Sequence, residues 1–246
     1  MITMVLKKKT GQAPSKGAKR ADGRTADELR PFEAKVGVIN RADGSAMFKS
    51  GKTIALAAVY GPRELHPKFL QNPEKAVLRC NYNMMTFSGS GERVKPGPSR
   101  RSREISMIIE KALTPVLNLE LYPNAVIDVY VELLQTDAGT RCAGVTAAAM
   151  ALADAGIPMK DLVSSVSVGL VNGQIVADLT KEEEDMEGTV DVPTAVLPRT
   201  GEFTLLQLDG HMTPEQLQEA LELSTKVSQH IYAAQKKALK ERYHHA

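Results

Sequence analysis

The sequence predicts an α+β fold made of two similar β-α halves, with mixed sheets and packed helices. Three observations predict it. Short β-branched segments are punctuated by Asp-Gly and Asn-Gly turns, apolar residues recur at helical spacing in long segments, and strands followed by a helix occur twice in the same order. At 246 residues the chain has ample material for a hydrophobic core.

Residues 1–20, rich in Lys, Gly and Ala, read as a flexible basic arm ahead of a single domain over residues 21–246. Seven of the 31 Lys/Arg but only one of the 29 Asp/Glu precede residue 25, so the body is net acidic although the whole chain is +2. Such a body cannot bind nucleic acid through a uniformly basic surface and would need concentrated basic spots. The arm itself is either a solvated tail or an RNA contact.

Strands are expected at Lys35–Ile39 and Ser45–Lys49, joined through Asp43-Gly44, at Thr53–Tyr60 ending at Gly61-Pro62, and at Ala76–Met85. Gly and Pro between residues 89 and 98 mark a loop. A helix from about Ser99 to Leu117 carries Ile105, Ile108, Ile109, Leu113 and Val116 on one face. In the second half, a strand at 125–134 precedes an Ala-rich helix at 142–155. Strands at Leu162–Val171 and Ile175–Leu179 flank Asn172-Gly173, and two more follow near Thr189–Leu197 and Glu202–Leu208. A long final helix begins at Thr213, with Pro214 in its first turn and Gln216 completing a capping box.

Gln135-Thr136-Asp137-Ala138-Gly139-Thr140-Arg141 joins strand 125–134 to the Ala-rich helix. A glycine permits close backbone approach, Thr140 can cap the helix, and Arg141 sets a cation beside free amides. Those parts make an anion site. The same local pattern also fits an ordinary capped turn. Ser99-Arg100-Arg101-Ser102-Arg103 puts three arginines at a helix start, which is unfavourable against the dipole unless an anion offsets it. The acidic run from Asp178 to Asp191 crowds carboxylates that a divalent ion or a proton would relieve; Asp178, Asp185 and Asp191 are the residues expected to converge, with Glu182 to Glu184 left as solvated loop charges.

Several classes are excluded. The sequence holds no Walker loop, nucleophile elbow or dinucleotide fingerprint, and its five histidines lack metal-ligand spacing. Its two cysteines, Cys80 and Cys142, read as buried thiols. Aromatic content of 4%, with no Trp, rules out base stacking as the main mode of RNA binding. No apolar run suits a membrane span and the N-terminus lacks a secretory core, so a cytoplasmic protein with no membrane contact is expected. An anion pocket, arginines and carboxylates together suit phosphoryl chemistry on a polyanion.

Five motifs occur in order: Arg20-Ala21-Asp22-Gly23-Arg24, Ala42-Asp43-Gly44-Ser45-Ala46, Ala58-Val59-Tyr60-Gly61-Pro62-Arg63-Glu64, Gln135 to Arg141, and Glu184-Asp185-Met186-Glu187-Gly188. Together they resemble the RNase PH family, most closely the catalytic type of the archaeal exosome, over residues 20–240. Bacterial RNase PH more usually has two glycines before the Thr-Arg pair, so Ala138 favours the exosome type.

The resemblance implies 3′→5′ phosphorolysis of single-stranded RNA by inorganic phosphate, releasing nucleoside diphosphates, and tailing in reverse. It implies that Gly139, Thr140 and Arg141, with Arg101, bind the attacking phosphate and that Arg100 and Arg101 grip the RNA backbone. Asp185 is implied as the acid or metal-linked group, with Asp178 and Asp191 at further acidic positions and Mg2+ or Mn2+ as the metal. Lys68 falls where these subunits line the neck of a central channel. The implied assembly is a hexameric ring, a trimer of heterodimers with an inactive homologue, bearing RNA-binding cap subunits. A stand-alone homo-hexameric enzyme trimming tRNA 3′ ends is the alternative.

Overall fold

The computed structural model describes residues 20, 22–91 and 93–244, so the expected basic arm lies outside the described residues apart from Arg20. The elements run β1 (Phe32–Val36), β2 (Gly44–Ser50), β3 (Thr53–Glu64), β4 (Val77–Met84), α1 (Arg100–Leu113), β5 (Ala125–Gln135), α2 (Thr140–Asp154), β6 (Ser164–Val171), β7 (Gln174–Ala177), α3 (Lys181–Glu184), β8 (Val190–Leu197), β9 (Glu202–Leu206) and α4 (Pro214–His244). The first sheet has the order β1-β2-β3-β5-β4 and the second β7-β6-β8-β9. Only β4 and β5 pair in parallel, and α1 supplies the crossover such a pair requires.

The β6–β7 hairpin turns at Asn172-Gly173, whereas β1 and β2 are joined by residues 37–43 and Gly44 is already the first residue of β2; Thr213 and Gln216 cap α4 reciprocally. β3 does not stop at Gly61-Pro62 as expected; it continues to Glu64. A register shift against β5 between Tyr60 and Arg63 absorbs the proline, whose missing N–H then breaks no ladder bond. The Ser99–Leu117 helix ends as an α-helix at Leu113 and finishes in a 3-10 turn at Pro115.

Helix α2 explains its own composition. It contacts β2, β3 and β5 of one sheet and β6 and β8 of the other, so it is buried all round. Ala, Gly, Cys and Thr fit between two sheets where larger side chains would force them apart. At its far end, a Cβ on Gly44 would lie 2.3 Å from the Ala151 carbonyl oxygen, so β2 touches the helix through a glycine. There the buried carboxylate of Asp154 accepts hydrogen bonds from the Ser45 amide at 2.9 Å and the Tyr243 hydroxyl at 3.1 Å, and forms a salt bridge with Arg242 Nε at 2.7 Å. That clamp fixes the last turns of α4 against the β1–β2 hairpin.

Candidate active site

β5 delivers the chain to a turn at Ala138 (φ 56°) and Gly139 (φ 60°), two successive left-handed residues. For Ala138 this conformation costs roughly 1–2 kcal/mol, so the surroundings must hold it. Thr53 does so from β3: its hydroxyl accepts from the Asp137 amide and donates to the Ala138 carbonyl, each at 2.8 Å. Arg30 adds a hydrogen bond from Nη1 to the Asp137 carbonyl. The turn aims the N-terminus of α2 into a cleft.

The cap of α2 differs from the expectation. Gly139, not Thr140, is the N-cap, and no side chain caps the first turn. Thr140 is instead the first helical residue, and its hydroxyl accepts from Arg101 Nη2 at 3.4 Å. The amides of the first turn are thus left for a ligand, on the positive end of a 15-residue helix.

The cleft has a volume of about 360 Å³ and brings together Arg101, Gly139, Thr140, Arg141, Lys181, Glu184 and Asp191. Arg101 comes from α1, whose capping box of Ser99 and Ser102 starts the helix one residue ahead of the arginine pair. Arg141 is oriented by Gln207, beyond β9, which accepts from its Nη1 at 2.6 Å. Arg100 is exposed outside the cleft lining, and Lys68 is exposed in a separate 3-10 turn at Lys68–Leu70.

The three aspartates do not converge. Asp191, on β8, lines the cleft and accepts from the Ser167 hydroxyl. Burial pushes its carboxyl above the usual range, and Asp209 adds to this against the pull of Ser167, Arg141 and Arg101. Asp185 lies outside the lining, with a side chain 64% exposed and bonded to Lys181 Nζ at 2.6 Å. Asp178 lies behind the turn with a side chain 8% exposed, bound to Arg30 through Nε at 2.9 Å and Nη2 at 2.6 Å. Burial alone would raise it, but the Arg30 hydrogen bonds and the Arg30 and Arg24 charges hold it below its usual range. Asp178, expected as a catalytic or metal-binding residue, is instead paired with Arg30 and lies outside the cleft lining.

Glu184 was missed as a solvated loop charge. The acidic run forms the one-turn helix α3, opened by a Thr180–Glu183 capping box, which carries Glu184 into the cleft. Burial and then the Asp191 charge raise its carboxyl, opposed by Lys181, the Gly139 amide and Arg101. Glu184 and Asp191 both line the cleft, and Mg2+ or Mn2+ is held by one or two carboxylates together with substrate phosphates, so this donor set fits the expected ion alongside bound phosphates. Among the described residues no group of three or more His, Cys, Asp or Glu is placed to hold a metal by itself, and Lys181, Arg101 and Arg141 share the cleft with the two carboxyls. What the cleft offers is anion capture beside two carboxyls biased towards their protonated forms.

Comparison with known proteins agrees with this geometry. Family models described as 3′ exoribonuclease family, domain 1 and domain 2, match residues 28–158 and 161–227. The exosome complex component Rrp41 of Pyrococcus furiosus is 52% identical over 240 residues, covering 98% of this chain and 95% of that protein. Its counterpart from Methanopyrus kandleri is 51% identical over 224 residues, covering 91% and 93%. The crystal structure of rice (Oryza sativa) Rrp46 matches with a TM-score of 0.79 at 28% identity, over 89% of this chain and all of that one. With two family domains in tandem and relatives of this similarity end to end, the chain belongs to the 3′ exoribonuclease, or RNase PH, family.

Proposed function

We propose that this chain is the catalytic subunit of an exosome-type 3′→5′ exoribonuclease that cleaves single-stranded RNA with inorganic phosphate. The observation that carries this reading is one cleft in which uncapped α2 amides, Arg101 and Arg141 face two raised carboxyls. Phosphate binds at Gly139, Thr140 and Arg141. One of its oxygens attacks the phosphorus linking the terminal nucleotide, the bond to the preceding 3′ oxygen breaks, and that oxygen takes a proton. A nucleoside diphosphate and an RNA shorter by one nucleotide leave; the reverse reaction adds a tail.

The two arginines stabilise charge spread over the transferring phosphoryl group. Asp191 in the wall is the residue assigned to proton delivery, and Asp185, just outside the lining, is assigned to hold Lys181. A phosphate beside Lys181 competes with Asp185 for that ammonium and so frees the Asp185 carboxyl as substrate arrives. Where Mg2+ or Mn2+ binds, Asp191 and Glu184 would hold it, and it would neutralise charge on the transferring phosphoryl group. Arg100 and Lys68, exposed away from the cleft, hold RNA on its approach.

The assembly proposed is a cytoplasmic hexameric ring alternating with an inactive homologue and carrying RNA-binding caps. The naming of close relatives as exosome components supports it over a stand-alone homo-hexamer trimming tRNA. Exposed Phe203 and Leu206 on edge strand β9 and Met107 on neighbouring α1 supply an apolar face for such a neighbour. Among the described residues no helix is long and apolar enough to cross a membrane. The test is to incubate the reconstituted ring with labelled single-stranded RNA, with and without phosphate. Nucleoside diphosphates formed only with phosphate are expected; monophosphates formed without it would overturn the reading.

A further inference from the structure

Behind the cleft lies a buried ionic array with no part in the chemistry above. Asp178, itself left-handed at φ 55°, is its junction. Its carboxylate accepts from the Arg30 amide, from Arg30 Nε and Nη2, and from the Ser50 hydroxyl at 3.2 Å. Its main-chain carbonyl accepts from Arg20 Nη2 at 3.0 Å and Arg24 Nη2 at 3.1 Å. Arg20 also donates from Nε to Glu183 at 2.7 Å, next to the cleft residue Glu184, and from Nη1 to the Ala177 carbonyl at 2.6 Å. Arg30 reaches forward to the Asp137 carbonyl, in the turn that carries the α2 amides.

Arg30 is therefore the sole side chain among the described residues that holds both Asp178 and the phosphate turn. A Cβ on Gly139 would lie 3.3 Å from its Nη2, so the guanidinium packs directly under the turn. Arg20 ties the carboxylate helix α3, through Glu183, to the same junction. From this we infer that Arg30 and Asp178, with Thr53, are positioning residues that set the α2 amides for phosphate, and that Arg20 with Glu183 separately positions α3. The inference rests on the phosphorolytic reading. It assigns phosphate affinity to the Arg30 side of the array and turnover to the Arg20 side.

An arginine is needed at position 30 because only a planar fork spans Asp178 and the Asp137 carbonyl together. A lysine keeps the charge against Asp178 but has one nitrogen to place. Arg30→Lys should then retain most of the fold's melting temperature while losing the turn contact. Thr53→Val removes the other pair of hydrogen bonds to the turn without changing side-chain volume or charge.

The experiment uses the ring reconstituted with its homologous partner, saturating RNA, and titrated inorganic phosphate. Arg30→Lys and Thr53→Val should each raise KM for phosphate on the order of tenfold, with kcat at saturating phosphate changed far less, since a misplaced site loses binding geometry before chemistry. KM for a nucleoside diphosphate in the tailing direction should rise in parallel. Arg20→Met should instead lower kcat and leave KM for phosphate within about twofold. A phosphate KM within about twofold of wild type in Thr53→Val overturns the inference, as does equal loss of kcat and melting temperature in Arg30→Lys. Should Arg30→Lys fail to assemble, Thr53→Val decides alone. Wild-type activity without phosphate would instead overturn the underlying reading.

Discussion

Arg141 Nη1 donates to Gln207 Oε1 at 2.6 Å, which ties the first turn of α2 to the chain just beyond β9. The guanidinium is a fixed fork on the cleft wall because a residue 66 positions away holds one of its nitrogens. Gln207→Ala leaves the charge but frees its orientation. The expected cost is about 1 kcal/mol, roughly a fivefold rise in KM for phosphate with kcat retained, since the bond is part-exposed. Steady-state kinetics with phosphate as the varied substrate checks it.

Asp185→Asn and Asp191→Asn should each cut turnover by roughly 10²–10⁴-fold in both degradation and tailing, because the two directions share one transition state. RNA binding and ring assembly should stay intact. Loss in one direction only, measured by product analysis of both reactions, would remove either residue from the catalytic machinery.

The raised Asp191 carboxyl keeps its proton to a higher pH than an ordinary aspartate. An acid of this kind makes kcat fall as pH rises through its folded pKa, and Asp191→Asn should erase that limb, leaving a slow, flat profile. Rate profiles across the acidic to neutral range test the assignment.

Asp178 behaves with the opposite sign. Its folded pKa lies below the ordinary 3.8, so its stabilising effect is complete above that value and is lost as pH falls through the folded pKa. Asp178→Asn should destabilise the neutral protein by about 3–5 kcal/mol, because it leaves Arg30 buried and uncompensated. The gap from wild type should narrow below pH 3.8. Denaturant melts at several pH values measure both.

Arg100 and Arg101 should separate. Arg101→Ala, inside the cleft, is expected to raise KM for phosphate as well as weaken RNA binding. Arg100→Ala should weaken all single-stranded sequences alike and reduce the salt slope of binding by about 0.7. Binding isotherms at several salt concentrations decide.

Local signals carried much of this fold. Asn172-Gly173 turned where its backbone preference dictates, and the strand–glycine–helix join at Gly139 formed where the sequence placed it. Arg30 was illegible for a physical reason: its partners lie 107 and 148 residues away, and nothing in Leu29-Arg30-Pro31 repeats or alternates. Asp178 is set apart from Asp191 because it is itself left-handed immediately after β7 and faces Arg30, which no local pattern announces. Glu184 was recoverable. Thr180 and Glu183 spell a capping box, and one helical turn then sets Lys181, Glu184 and Asp185 on a common face.

Helix α2 presents its first turn to the cleft while its body fills the space between the sheets. On the proposed function, folding and anion capture draw on one rigid rod. Phosphate bound at that end would stabilise the whole chain in proportion to the logarithm of its concentration, so a melting curve would report site occupancy. The converse constrains sequence drift: enlarging Ala147 or Ala148, roughly 12–13 Å along the rod from Gly139, would shift the first-turn amides along with the core.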